Sequence, residues 1–215
     1  MRLDRHVHTY HSSDSRMTPV EIVRAVVRQG LGGLAITDHN SIAGALEVRE
    51  IAPFVVIVGE EINTAEGEII GLFLQHAIPP GLSPEETIAA IRQQNGVVYV
   101  PHPLDSFRRS ALRRSALERL IGQIDALEVF NARNLLPWDN EHARQLALTR
   151  GLAMGAGSDA HTAGEIGNGW VEVEPFTDAR SFLTALRRGR AGGVLSSPLV
   201  HFATRWTKLR RRLWF

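Results

Sequence analysis

The sequence predicts an α/β barrel, on three observations. Short apolar runs alternate with stretches that carry helix starts and stops. The segments that follow those runs repeatedly carry histidine, aspartate or glutamate within a few residues. The composition, 44% hydrophobic and 22% charged over 215 residues, is that of a globular chain with room for one sizeable core.

The first helix is predicted from Thr18-Pro19-Val20-Glu21. Thr18 can cap, Pro19 suits the first turn and Glu21 can close a capping box. It should run to Gln29 and stop at Gly30. Leu34-Ala35-Ile36 follows as a strand leading into Thr37-Asp38-His39, then a helix over residues 42–50. Val55-Val56-Ile57-Val58 is the next strand, ahead of Gly59-Glu60-Glu61, and Ile69 to Leu74 another. Ser83-Pro84-Glu85-Glu86 repeats the capping pattern and starts a helix that ends near Gly96. Val97 to Val100 is a strand ending at Pro101-His102-Pro103; residues 111–121 are helical; Ala126 to Val129 is a strand before Phe130-Asn131. A helix over 138–150 ends at Gly151, Ala153 to Ala156 is a strand before Gly157-Ser158-Asp159-Ala160-His161, and a last helix covers 178–188.

Strands alternating with helices point to a parallel sheet with helices outside it. The polar residues favour a barrel over an open sheet. In a barrel the C-terminal ends of many strands share one mouth, whereas an open sheet gathers its ligands at one switch point.

No cysteine is present, which excludes disulfides, thiol catalysis, iron–sulfur clusters and cysteine-bound zinc. The N-terminal residues have no apolar run of signal-peptide type and no stretch is a membrane span, so the cytoplasm is the expected location. A net charge of +1 gives no global case for nucleic-acid binding. Charge is uneven, however: Arg205, Lys208, Arg210, Arg211 and Arg212 lie together with no acid among them. As a helix, residues 204–215 place Trp206, Leu209 and Leu213 near one face, a pattern suited to docking on the barrel, to an anionic lipid surface or to guiding a nucleic-acid end.

His6-Val7-His8 places two imidazoles on one side of an extended segment, and Asp159-Ala160-His161 does the same with a carboxylate and an imidazole. His39, Glu61 and His102 follow other apolar runs, and Asp14 lies in a polar loop where a turn-forming role competes with ligation. His11, in the same loop, is a candidate for substrate or leaving-group contact rather than for metal. Taken singly, each residue has a bland explanation as a capped turn, an ion pair or a satisfied histidine. Together they form a mixed nitrogen and carboxylate set, which suits Zn²⁺, Mn²⁺ or Fe²⁺ better than Ca²⁺. Arg108, Arg109 and Arg133 follow site-facing strand ends and match phosphate geometry, although a solvated charged loop explains them equally well.

These stretches, with Ile36-Thr37-Asp38-His39-Asn40 and Glu128-Val129-Phe130-Asn131, resemble the PHP domain family of polymerases and histidinol phosphatases, in the family's order and over most of the chain. The resemblance implies a distorted (β/α)₇ barrel over residues 1–188, with residues 189–215 as a short PHP-associated segment and basic tail. It implies two or three divalent transition-metal ions. His6, His8, Glu61 and Asp159 would hold the first. Glu61, which aligns in preference to Glu60, would bridge to a second held also by His102. Asp14, His39 and His161 would hold the third. Many relatives carry a histidine in the strand after the bridging glutamate. Glu68 is its nearest match here, which points to a second site that is weaker or of different identity. Relatives hydrolyse phosphomonoesters, including histidinol phosphate and nucleotide 3′-phosphates, or act as 5′–3′ exonucleases on short nucleic acids.

The expected activity is therefore metal-assisted hydrolysis of a small phosphorylated metabolite, a nucleotide or the 5′ end of a short single strand. A histidinol-phosphatase-like enzyme is one alternative. A barrel amidohydrolase is another, disfavoured because the sole lysine, Lys208, lies in the tail. A non-catalytic metal-binding or interaction domain is the third.

Overall fold

A computed structural model of the protein describes residues 1–202, 204, 206 and 207. The elements run β1 (Arg2–Val7), α1 (Pro19–Gln29), β2 (Gly33–Ile36), α2 (Ala43–Ile51), β3 (Val55–Thr64), β4 (Gly67–Leu72), α3 (Pro84–Gln93), β5 (Val97–Val100), α4 (Arg114–Leu120), β6 (Ala126–Asn131), α5 (Pro137–Arg150), β7 (Ala153–Gly157), β8 (Gly169–Glu172), α6 (Ala179–Arg188) and β9 (Arg190–Gly193). The capping boxes at Thr18/Glu21 and Ser83/Glu86 form as the sequence predicts, and Asp178 with Ser181 adds a third.

The strands make one sheet in the order β7-β6-β5-β4-β3-β2-β1-β8-β9. It curls until the segment after β7 reaches β1. The His8 N–H donates to the Ala160 carbonyl at 3.0 Å, and the Ala160 N–H to the His6 carbonyl at 3.2 Å. This bridge just beyond β7 nearly closes the barrel at the C-terminal ends of β1 and β7. β8 runs antiparallel to β1 at its other end, so β8 and β9 fill the seam.

The sheet is not wholly parallel. β4 is antiparallel to both β3 and β5. Only Ala65 and Glu66 separate β3 from β4, too few for the crossover a parallel pair requires. Gly67 adopts φ +122°, and a Cβ there would meet the backbone of Ala111 and Leu112. That tight hairpin lets β3 run on through Glu60 and Glu61, so Glu61 sits inside a strand rather than after it. α4 also starts later than expected, at Arg114. The Arg113 N–H is taken by the Glu66 carbonyl and the Ser110 carbonyl accepts from the Glu68 N–H, both at 2.8 Å, so the preceding loop is tied to the hairpin instead of to a helix.

Apolar residues lie in two layers. Ile22, Val26, Leu34, Ile36, Ile91 and Leu117 belong to the layer between sheet and helices. Leu3, Ile57, Tyr99, Ala126 and Ala153 sit towards the strand starts, where α6 covers them with Phe182 and Leu186. Each such large side chain contributes about 1.5–3 kcal/mol by burial. The end closed by α6 leaves the opposite end for chemistry. Sheet pairing continues past residue 189, since β9 pairs with β8 from Glu172↔Arg190 to Gly169↔Gly193. Most of the amphipathic tail expected over 204–215 lies outside the described residues; Trp206, within them, is exposed. No helix among the described residues is long and apolar enough to cross a membrane.

Candidate metal centre

Five histidines and four carboxylates meet at the open end of the barrel. His6 and His8 project from the end of β1, Glu61 from β3 and Glu68 from β4, while His39, His102 and Asp159 follow β2, β5 and β7. His6 Nε2 lies 3.4 Å from Glu61 and 3.6 Å from Asp159. His8 Nε2 lies 3.5 and 3.4 Å from the same two carboxylates. His102 Nε2 lies 3.0 Å from Glu61 and 3.5 Å from Glu68. Asp14 stands between His39 and His161, 3.3 Å from Nε2 of each, and His39 Nδ1 is 3.1 Å from Glu61. All nine metal-ligand candidates of the sequence are thus brought together.

The rings are held so that one nitrogen faces inward. His6 Nδ1 is 3.2 Å from Glu128, which lies outside the ligand candidates read from the sequence. Glu128 also accepts from the His102 N–H at 2.7 Å and from Asn131 Nδ2 at 2.8 Å. His8 Nδ1 is 3.1 Å from the Ser12 hydroxyl, which donates to Asp38 at 2.6 Å. His161 Nδ1 donates to the Asp159 carbonyl at 2.8 Å. Pinning the outer nitrogen fixes the tautomer and leaves Nε2 with its lone pair, as metal-binding histidines require. Asp38 is occupied by Thr9 and Ser12, which makes it a loop anchor. His102 and Asp159 adopt left-handed backbone, φ 31° and 54°. That conformation costs non-glycine residues on the order of 1 kcal/mol or more and recurs where a side chain is aimed for function.

His6 Nε2, His8 Nε2, Glu61 Oε2 and Asp159 Oδ1 are buried and have no hydrogen-bond partner. A buried polar atom in that state costs about 1–3 kcal/mol. A cation among them would satisfy all four, and the nitrogen and carboxylate donors fit a transition metal. Among the described residues, His6, His8 and Glu61 form one set whose ligand atoms lie within 4.8 Å of one another; His8, Asp14, His39 and His161 form another; His39, Glu61 and Glu68 a third. The sets share members, so the centre has room for more than one ion.

The electrostatics follow from this crowding. Burial opposes the charge of Glu61, but His6 and His39 outweigh it and hold the carboxyl well below its usual range. Asp159 is held down likewise, against its burial, by Arg108 and His6. Burial and then the charge of Glu61 push Glu68 up, as expected of two carboxylates sharing a site. Burial, reinforced by His161 and His39, lowers His8 to about 3.

A cavity of about 880 Å³ opens over the centre, bordered by Asp14, His39, Glu68 and His161 and by His11, Arg108, Arg109 and Arg133. The arginines differ in their commitments. Arg108 Nη2 donates to Asp159 at 2.6 Å, joining the cavity wall to the cluster. Arg109 is exposed at the rim. Arg133 is engaged by Glu165, 2.6 Å from its Nε, and is almost wholly buried. His11 Nε2 is 3.0 Å from Glu47, and its ring stacks on Tyr10. A second cavity of about 680 Å³ shares only Arg108 with the predicted site residues.

Comparison with known proteins agrees with this geometry. A family model described as the PHP domain matches residues 4–129, and one described as PHP-associated matches residues 137–191. An uncharacterized protein of Methanocaldococcus jannaschii is 40% identical over 146 residues, 61% of this chain and 82% of that protein. A second from the same organism is 34% identical over 175 residues, 80% of this chain and 70% of that protein. Among solved structures, a two-domain protein from Bacteroides vulgatus, described as containing a predicted PHP-like metal-dependent phosphoesterase, superposes with a TM-score of 0.74 at 22% identity. The match covers 90% of this chain and 65% of that one, so this chain spans about two thirds of its length. With the model match extending over more than half of the sequence, from β1 into β6, the histidine–carboxylate cluster at the mouth of this barrel is that of a member of the PHP domain family.

Proposed function

We propose that the chain is a metal-dependent phosphoesterase that hydrolyses a small phosphomonoester or the 5′ end of a short nucleic acid. The observation that carries this reading is the set of partnerless imidazole nitrogens and carboxylate oxygens beneath a cavity walled by Arg108. His6, His8, Glu61 and Asp159 would hold one ion. Glu61, His102 and Glu68 would hold a second, and Asp14, His39 and His161 a third. Divalent cations there would polarise the phosphoester and lower the pKa of a water so that hydroxide is available near neutral pH.

The protein's own groups do the rest. Glu128, Ser12 and the Asp159 carbonyl hold three rings in one tautomer before substrate arrives. Arg108, fixed at one edge by Asp159 and Asp105, presents a guanidinium at the cavity wall for the non-bridging oxygens. Arg109 at the rim attracts the incoming anion. His11, which lines the cavity, would contact the leaving group. The cavity volume falls within the range for small ligands.

The test is a panel of nucleoside monophosphates, bisphosphates, short oligonucleotides and histidinol phosphate, compared by kcat/KM on protein loaded with Mn²⁺, Zn²⁺ or Fe²⁺. Chelation should abolish turnover and metal should restore it. Turnover that persists in chelator, or metal-loaded protein inert on every phosphoester, would reject the reading.

A further inference from the structure

Beyond β9 the chain turns back to the open end of the barrel and builds part of the cavity wall. The Val194 N–H donates to the Asn168 carbonyl and the Ser196 N–H to the Ala132 carbonyl, each at 2.7 Å. Asn168 Nδ2 reaches the Ser196 hydroxyl at 2.9 Å. Arg133 donates to the Thr204 hydroxyl at 2.8 Å. Pro198, His201, Phe202 and Thr204 thereby line the same cavity as Asp14, His39 and Arg108.

His201 has a defined tautomer. Its Nε2 lies 3.1 Å from the Arg133 carbonyl oxygen, which can only accept, so Nε2 carries the hydrogen. In the neutral ring Nδ1 then has the lone pair. Burial, followed by the charges of Arg133 and Arg108, pushes the imidazole below its usual range and keeps it neutral near pH 7. His201 thus adds an imidazole acceptor to a wall that also carries arginine donors. A phosphomonoester dianion has no hydrogen to give, so it suits the arginines and has nothing to offer Nδ1.

We propose that His201 is a specificity-determining residue, whose Nδ1 accepts a hydrogen bond from an O–H or N–H group on the organic part of the substrate. This rests on the phosphoesterase reading, and selects, within it, hydroxylated or amino-bearing phosphomonoesters over plain alkyl ones. Phe202, beside His201 and exposed, gives the organic part an apolar face. A site built around a substrate hydroxyl rejects the analogue that lacks it, because its own acceptor is left unpaired.

The experiment uses the metal-loaded full chain with ribose 5-phosphate and cyclopentylmethyl phosphate, which share a ring size and differ in ring hydroxyls. The kcat/KM ratio should favour the sugar at least about tenfold in the wild type. His201→Gln keeps a donor for the Arg133 carbonyl and lacks the acceptor at the Nδ1 position; the ratio should fall towards unity. His201→Asn keeps an oxygen at that position and should retain most of the ratio. If His201 only pins the segment, His201→Asn lowers both substrates alike and His201→Gln leaves the ratio intact, and the proposal is overturned. A second readout is independent of turnover: the ¹⁵N resonance of His201 Nδ1 should move with ribose 5-phosphate and stay with cyclopentylmethyl phosphate. That movement without hydrolysis supports the contact and rejects the phosphoesterase reading. Hydrolysis without movement and without a changed ratio rejects the contact alone, and absence of both rejects both.

Discussion

Glu128 and His6 face each other across 3.2 Å at the floor of the cluster, and the carboxylate decides which imidazole nitrogen looks towards Glu61 and Asp159. Glu128 is buried and, despite that burial, held below its usual pKa by His6. Its other oxygen accepts two donors, the His102 N–H and the Asn131 amide. One carboxylate thus orients a ring from β1 and the turn after β5.

Glu128→Gln should break either the contact to His6 or the two made by the other oxygen. Whichever way the amide is turned, its NH₂ faces a group that donates. Metal affinity should fall about 10–100-fold, the usual cost of losing an orienting carboxylate behind a ligating histidine. Competition with a chelating dye measures this. An unchanged affinity would show that His6 keeps its tautomer without Glu128.

Metal itself should stabilise the fold. Ions bound by the folded chain alone raise stability by about 2.7 kcal/mol at one hundred times Kd. Thermal midpoints should therefore climb with Mn²⁺ or Zn²⁺ concentration and drop on chelation. In His8→Ala and Asp159→Ala the climb should be much smaller, and turnover should fall by about two orders of magnitude or more. A midpoint indifferent to metal in the wild type would argue against a metal centre.

Glu60 precedes Glu61 on β3 yet serves a different end. Its side chain accepts from the Ile78 N–H at 2.8 Å, and burial pushes its pKa up from 4.5 to about 7. The folded state then binds the proton more tightly than the unfolded chain. Its contribution to stability is complete below about pH 4.5 and is lost as pH rises through about 7. Glu60→Gln removes this penalty. The variant should match the wild type near pH 4 and exceed it near pH 8 by on the order of 1–3 kcal/mol. Denaturant midpoints for both proteins across that interval check it, and a constant difference would contradict the assignment.

The site was more legible than the frame that holds it. In a chain without cysteine the side chains best suited to ligate a transition metal are histidine, aspartate and glutamate, so the candidates His6, His8, Asp159 and His161 stand out in the sequence. Orienting groups carry no such mark. Glu128 and Ser12 act through contacts with residues distant in sequence or across a loop, and only the fold reveals which ring each meets. His201 joins the cavity only because the chain returns after β9. The helices were announced by their caps at Thr18 and Ser83, which are local events. β9, Arg190-Ala191-Gly192-Gly193, has no β-branched residue and exists because β8 offers an edge. The reversal at β4 was hidden for a similar reason: apolar periodicity marks a strand without giving its direction.

The interior beneath the cluster is set by a close approach between β1 and β7. Arg5 is fully buried, with its guanidinium 4.7 Å from the centre of the Tyr99 ring and Nη2 3.3 Å from the Tyr99 hydroxyl. Gly155 on β7 leaves the space the guanidinium occupies, and a Cβ there would overlap Arg5 Nη2. Arg5 has little freedom to retreat, since Phe182 stands 5.8 Å from it on the other side. Gly155→Ala should therefore destabilise the protein by about 1–3 kcal/mol, the range for overfilling a packed interior. Gly122, just after α4, has nothing within 4 Å of a built Cβ, so Gly122→Ala should change stability by no more than about 0.5 kcal/mol. Denaturant unfolding of both variants gives the comparison. Equal stabilities would mean that β7 can move away from Arg5, and that glycine is not what brings these two strands together.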